Sequence, residues 1–298
     1  MSKSGQPIKH FSSSEYIRLF INKSHTNSGF NHSGVQVYDY EELSKDLKTP
    51  TPVFRPDYNF LIYLKQGEVC KQIGTEVKKI KAPAVIVINA GLVISLKEVS
   101  ADAQGNVVVF ENELLNNILS KQALIKLFDI DPVILLDEKS SATIAALGAL
   151  LLGEQQEPNT DTAIFIPLLQ ALLQKLLILS GKNEVLSSVQ LIALKFKTLV
   201  YQHYLREKNV SFYANELAIS ENYLNRCTQM VLNKSVKKFI IEVSILQSQI
   251  LLQDMGKSIA EISHELNFED PSYFSRIFKK INSITPVEYR KRIINDLS

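Results

Sequence analysis

Apolar residues recur at two different periods along this chain, and the change of period divides it. Residues 1–30 are polar and rich in Ser, Asn and Lys. Within them, Tyr16, Leu19 and Phe20 behind Ser12-Ser13-Ser14-Glu15 predict one short capped helix. Between 34 and 110 the apolar residues come in short runs. Residues 35–38 alternate weakly, and 59–64 precede a turn at Lys65-Gln66-Gly67. Val69, Ile73, Val77 and Ile80 fall in short segments, 84–88 run into Asn89-Ala90-Gly91, and 106–110 close the region. Many short strands between Gly and Pro turns predict a sandwich or small barrel.

From Glu113 the period lengthens to that of a helix. Leu114, Leu115, Ile118 and Leu119 open one helix, 140–152 supply a second, and 163–179 supply the richest apolar stretch, AIFIPLLQALLQKLLIL. A membrane span needs about twenty apolar residues. This run is shorter and is interrupted by Gln170, Gln174 and Lys175, so it predicts an amphipathic helix with a broad apolar face. Such a face suits burial within its own domain or a dimer interface, and the pattern leaves both open. Gly181-Lys182-Asn183-Glu184 reads as a linker with a helix stop at Gly181.

Beyond it, Ser187 opens a helix expected to run to about Lys208, with Leu191, Leu194, Leu199 and Tyr204 among its apolar positions. Two similar segments follow. From Val210, Leu217 and Ile219 frame a turn, Ser220 suits an N-cap, and Tyr223, Leu224, Cys227 and Val231 form a buried stripe. Asn222, Asn225, Arg226 and Gln229 are left facing outward. From Lys257, Ile259, Ile262 and Leu266 mark one short helix, and Tyr273, Phe274, Ile277, Phe278 and Ile281 mark the next. The break between them holds Asn267, tolerant of left-handed backbone, then Asp270 for an N-cap and Pro271 for a first helical position. Ser272, Ser275, Arg276 and Lys279 occupy the face the apolar stripe leaves free. Two short helices across a three- or four-residue turn form a helix-turn-helix. The two copies lie about fifty residues apart, Tyr223-Leu224 matching Tyr273-Phe274 and Arg226 matching Arg276. Between them Phe239, Val243, Leu246 and Ile250 recur at helical steps, which predicts one face of a connecting helix holding both motifs. About fifteen helical residues span roughly 22 Å. Such a spacer suits two reading helices on successive major-groove segments about 34 Å apart.

Composition changes this picture little. The 298 residues are 45% hydrophobic and 21% charged, enough for two domains with cores of their own. A net charge of +2 does not itself point to nucleic acid. From Ser187 onward basic residues exceed acidic ones by only 15 to 11, so any strongly basic surface depends on placement on one face. Cys70 and Cys227 give no disulfide framework, and Cys227 sits on a buried stripe, which predicts an inert thiol. The N-terminus lacks a signal-peptide core, which predicts a cytoplasmic protein.

Enzyme chemistry finds no set of residues to act with. A metal centre on strands needs several His with a carboxylate. His25 and His32 precede the strands, and no further His occurs before His203. Gly148 and Gly153 flank an apolar Leu run and suit helix packing better than phosphate binding. Arg55 and Tyr63 suit either the interior of the strand region, facing a small polar effector, or solvated edges. The expectation is no enzyme, no metal and no cofactor.

The run 270–280, DPSYFSRIFKK, followed by Thr285-Pro286-Val287-Glu288-Tyr289-Arg290, resembles the signature of AraC/XylS-type transcription regulators. The resemblance covers roughly 187–292, with Asn233, Ser283 and Asn267 standing where that family usually has Gly. The strand region is similar, in order and spacing, to the degenerate cupin-like barrel that many such proteins carry. The fold implied is α+β and multidomain: a cupin-like sensing and dimerisation domain with following helices at 1–185, and an all-α DNA-binding domain of two helix-turn-helix motifs joined by a linker helix at 186–298. Matched residue by residue, Asn222, Asn225 and Arg226 take the first motif's base-facing positions, and Ser272, Ser275 and Arg276 the second's, with Gln229 beside the first. By residue type, arginine suits guanine edges or phosphates and asparagine suits adenine. Lys237, Lys279 and Lys280 suit backbone contacts, and Thr285-Pro286 begin a last helix whose N-terminal amides suit a phosphate. The implied partners are double-stranded promoter DNA, a second copy of the chain through helices near 113–180, a small-molecule effector, and RNA polymerase if the protein activates. The rival readings are a metal-independent ligand-binding protein and a protein-interaction protein with a degenerate DNA-binding domain.

Overall fold

The computed structural model describes residues 10–11, 34–46, 49–156, 162–181 and 187–296. The short helix expected behind Ser12, both His25 and His32, and the linker residues 182–184 lie outside them. The chain divides into two compact units, His10–Glu184 and Val185–Ser298.

In the first unit, strands β1 (His10–Phe11) and β3 (Arg55–Pro56) pair with each other. Strands β2 (Val35–Asp39), β4 (Asn59–Gln66), β7 (Ala84–Ile88), β9 (Gln104–Phe110) and β10 (Val133–Leu135) make a five-stranded antiparallel sheet in the order β10-β7-β4-β9-β2. Strands β5 (Glu68–Ile73), β6 (Glu76–Lys81) and β8 (Ile94–Val99) make a three-stranded sheet in the order β6-β5-β8. The alternation along β4 explains how the larger sheet is used. Phe60, Ile62 and Leu64 pack with Val69, Ile73, Ile80, Ile94 and Leu96 of the smaller sheet, whereas Leu61 and Tyr63 pack with helices. Both faces of the sheet are therefore covered, which is why β4 and β7 read as continuous apolar runs.

The helices on that outer face are α2 (Asn112–Ile118), α3 (Lys121–Leu127), α4 (Glu138–Gln156) and α5 (Thr162–Leu179); α1 (Tyr40–Asp46) adds Tyr40 and Leu43 to the core between the sheets. Helix α5 buries Phe165, Leu169, Leu172, Leu173, Leu176 and Leu177 in the core it shares with the sheet and helices α2, α3 and α4, so its broad apolar face largely serves its own unit. Gly181 ends the segment at positive φ.

Several expectations need correcting. Residues 133–135 form an edge strand in a region whose period reads as helical, because three residues are too few to show either period. Strand β8 also lies outside the expected runs; its inward Ile94 and Leu96 flank Ser95, and only Val99 continues the apolar pattern beyond Lys97-Glu98. Arg55 and Tyr63 are both buried, so neither is a solvated edge position. Tyr63 faces the helices, with its hydroxyl 2.8 Å from Ser141 Oγ. Gly148 packs tightly, since a Cβ there would meet Asn106 Oδ1 at 2.9 Å, but Gly153 has open space around it.

The second unit is helical. Helix α6 (Ser188–His203) opens with a capping box between Ser187 and Gln190 and stops before the expected Lys208. Helices α7 (Val210–Glu216) and α8 (Glu221–Leu232) form the first helix-turn-helix. Helix α9 (Val236–Leu251) links it to α10 (Ile259–Glu265) and α11 (Pro271–Asn282), and α12 (Pro286–Asp296) closes the chain. Val236, Phe239, Ile240 and Val243 of α9 belong to the first motif's core, and Ile245 and Leu251 to the second's. The connecting helix is buried all round from Val243 to Leu251, rather than on one face, and takes Ser244, Gln247, Ser248 and Gln249 inside with it.

Both turns close in the same way. Ala218 and Ile219 N–H donate back to Asn215 and Ala214 C=O, and Asn267 and Phe268 N–H donate to His264 and Ser263 C=O. This is the double-bonded helix stop that requires a left-handed residue, and Ala218 and Asn267 have φ of 53° and 57°. Asn233 and Ser283 end α8 and α11 at φ of 52° and 63°. Ser283 therefore marks the end of its helix, and Ala218 is a fourth left-handed position that composition did not reveal.

Two stability predictions result. Ala218→Gly and Ser283→Gly each relieve a left-handed Cβ and are expected to stabilise the second unit by roughly 0.5–1 kcal/mol, read as a rise in urea midpoint at unchanged slope. Lys71, on β5, is buried between Val69 and Ile73 with Lys78 directly across the strand pair. Its Nζ lies 5.5 Å from the Phe60 ring centroid, and no ion pair to it occurs among the described residues. Burial pushes its pKa down from 10.5 to about 8. The unfolded chain thus binds the extra proton between those values, and the group's penalty is complete below pH 8 and relieved as pH rises through 10.5. Lys71→Met is expected to stabilise the protein at pH 7 by roughly 1–3 kcal/mol, with the advantage shrinking across that window. An advantage that stays flat from pH 7 to 10.5 would contradict it.

Candidate nucleic-acid interface

The second helix of each motif is started by a side chain of its own turn. Ser220 Oγ accepts from Tyr223 N–H at the start of α8. At α11, Asp270 accepts from Ser272 N–H (2.8 Å) and Tyr273 N–H (3.0 Å), with Pro271 in the first turn. The Ser272 amide, the Tyr273 amide and the Arg276 charge hold the Asp270 carboxyl below the ordinary carboxylate range. Phe274 and Phe278 fix the inner side of α11, and Leu224, Cys227 and Thr228 that of α8. Cys227 is buried and unbridged.

The opposite side of each helix is exposed. Asn222, Arg226 and Gln229 on α8, and Ser272, Arg276, Lys279 and Lys280 on α11, all face solvent, as does Lys237 at the start of α9. The two ridges share one register, fifty residues apart. Lys279 and Lys280 occupy the last turn of α11, where the helix dipole favours cations. Gln229 Nε2 reaches Asn233 Oδ1 at 3.4 Å, a contact within its own helix end. Lys234 is spent on an ion pair with Glu242 (2.7 Å).

Two positions depart from the outward set and one joins it. Asn225 is half-buried, and its Oδ1 accepts from Val236 N–H (3.1 Å), the first amide of the linker helix. Its carbonyl therefore secures the corner between α8 and α9, leaving the amide nitrogen and one lone pair of Oδ1 for other partners. Ser275, its equivalent, is also half-buried. Tyr273, which the periodicity assigns to the buried stripe, is 38% exposed and stands on the ridge beside Arg276. At α12, Thr285 N–H donates to Glu288 Oε2 (2.7 Å) while Thr285 Oγ1 accepts from Glu288 N–H (3.2 Å). The amides expected to await a phosphate thus already have a carboxylate beside them.

Comparison with known proteins can be set beside this geometry. Residues 213–292 match the family described as a helix-turn-helix domain. The Msm operon regulatory protein of Streptococcus mutans is 33% identical over 118 residues, 40% of this chain and 42% of that protein. The HTH-type transcriptional activator RhaR of Mannheimia succiniciproducens is 23% identical over 257 residues, 82% of this chain and 89% of that protein. The chain thus spans less than half the length of the first of these relatives. Among solved structures, ToxT from Vibrio cholerae aligns with a TM-score of 0.46 and 16% identity, over 86% of this chain and 97% of that one.

Asn225→Ala is expected to destabilise the second unit by about 1 kcal/mol, because the Val236 amide loses its acceptor at a partly buried corner. Unfolding in urea with an unchanged midpoint would show that the corner does not depend on this bond.

Proposed function

We propose that this chain, whose C-terminal unit is a double helix-turn-helix of the AraC/XylS type, is a sequence-specific DNA-binding regulator of transcription. The observation that carries the proposal is the repetition of one exposed polar ridge, Asn222–Arg226 and Ser272–Arg276, at the same register on two helices joined through one buried helix. Arg226 and Arg276 are assigned to guanine edges or phosphates, and Asn222 and the free amide of Asn225 to adenine. Ser272, Ser275 and Gln229 take shorter contacts, and Lys237, Lys279 and Lys280 position the duplex backbone. The relatives are named as regulators of transcription, and the proposal assigns no catalytic step to the chain.

The proposal gives residues 1–185 to sensing and dimerisation and 186–298 to DNA. Dimerisation is supported by apolar side chains left on the outer sides of α4 and α5, where Leu150, Ile164 and Ile178 are about half-exposed. A sensed effector acts by binding one arrangement of the protein more tightly than another. RNA polymerase is a partner if the protein activates. No helix among the described residues is long and apolar enough to cross a membrane, and the proposal places the protein in the cytoplasm. The alternative, a motif pair that binds another protein, differs in one measurable respect: phosphate contacts release counterions, whereas protein contacts mostly do not.

In a duplex-binding assay the logarithm of the affinity is expected to fall linearly with log salt, the slope flattening by about one for Lys279→Ala. Arg276→Ala is expected to lose about 1–3 kcal/mol of discrimination between a selected site and a scrambled duplex. Salt-independent binding, or full discrimination in Arg276→Ala, would retire the corresponding assignment.

A further inference from the structure

The two ridges share a feature besides their outward polar residues. On α8 the Arg226 guanidinium lies over the Tyr223 ring, 4.9 Å from its centroid. On α11 the Arg276 guanidinium stands in the same relation to Tyr273, at 6.0 Å. The pair recurs at an i, i+3 spacing in both copies. Helical side chains lean toward the helix N-terminus, so an arginine three residues on lies over the residue one turn before it. Tyr273 is 38% exposed, which core packing does not require of an aromatic, while Phe274 beside it supplies the core contact.

Stacking on a ring uses the flat face of a guanidinium and leaves its five in-plane N–H donors free at the edge. Among the described residues neither Arg226 nor Arg276 forms a salt bridge that would occupy that edge. A ring-held arginine therefore presents the fork that a guanine O6/N7 pair or a phosphate accepts, with part of its rotamer freedom already removed. A carboxylate partner would hold the side chain as well but would consume the donors.

We infer that Tyr223 and Tyr273 are positioning residues that pre-orient Arg226 and Arg276 for base readout, an inference that rests on the assignment of these helices to DNA. Each tyrosine acts through its arginine, so the ring matters and the hydroxyl does not.

The test uses the full chain with Tyr273→Phe, Tyr273→Leu, the same two changes at Tyr223, and the double variant Tyr273→Leu/Arg276→Ala. The probes are a duplex enriched from a random pool by the unaltered protein and a scrambled duplex of equal length. The leucine variants are expected to lose about 3- to 10-fold of the preference for the enriched duplex while binding the scrambled one unchanged. The phenylalanine variants keep the preference. In the Arg276→Ala background Tyr273→Leu adds no further loss. Without DNA, the Arg276 side-chain methylene protons are expected to show a ring-current shift by NMR that Phe preserves and Leu abolishes. Additive losses in the double variant, full preference in the leucine variants, or arginine signals indifferent to Tyr273→Leu would each overturn the inference. Failure of the unaltered protein to enrich any duplex would instead overturn the DNA assignment, and the NMR comparison would still decide whether the rings hold the arginines.

Discussion

The second unit depends on one helix, α9, having no free side over its C-terminal half. A helix that contributed a single apolar stripe could turn about its axis or slide between neighbours. One enclosed on all sides cannot move without opening two cores. Enclosure also brings polar groups inside, and buried polar groups must find partners. Tyr204 Oη donates to Gln247 Oε1 (2.9 Å), Ser244 and Ser248 donate to carbonyls of their own helix, and Gln249 Nε2 bonds Asn282 Oδ1. The first of these ties α9 to the end of α6 and the last ties it to the end of α11. The geometry of the second helix of each motif is referred to the same central rod.

A second set of contacts braces the two motifs against each other beside that rod. Lys208, in the corner before α7, donates to Ser244 Oγ (2.9 Å) and to Tyr204 C=O (3.2 Å), and stands 4.7 Å over the Phe268 ring. Burial lowers its pKa to about 8. Asn267, the left-handed residue of the second turn, donates from Nδ2 to Arg206 C=O (3.0 Å). The second motif's turn is thus held against the corner that precedes the first motif. Asn267 serves as helix stop and brace together, two roles that glycine, with no side chain, could not combine.

Much of the helix-turn-helix region was legible from residue types because its determinants are local. Asp270 and Pro271 at a helix start, Asn267 at a left-handed position, and the Leu224–Cys227 and Phe274–Phe278 stripes act over a turn or two of chain. Misreadings arose where local rules compete. Tyr273 fits the apolar period but neighbours Phe274, and only one of two adjacent residues can point fully inward. Asn225 fits the outward period, yet the chain folds back at Asn233 and carries the Val236 amide to it. Ala218 shows no compositional sign of its backbone state, because the hydrogen bonds of the turn impose it.

Periodicity and turn chemistry by themselves determined the α+β division, the sheet-forming and helix-forming regions, the repeated motif and most of the side chains on its outer ridges, though not the places of Asn225, Ser275 and Tyr273. Tertiary structure alone decided which face of β4 carries Tyr63, that 133–135 join the sheet as its edge, that Lys71 is enclosed between two sheets, and that α9 is surrounded. The physical reason is range. Capping, helix stops and amphipathic stripes depend on neighbours within about one or two helical turns, whereas burial depends on what distant segments bring to the other side.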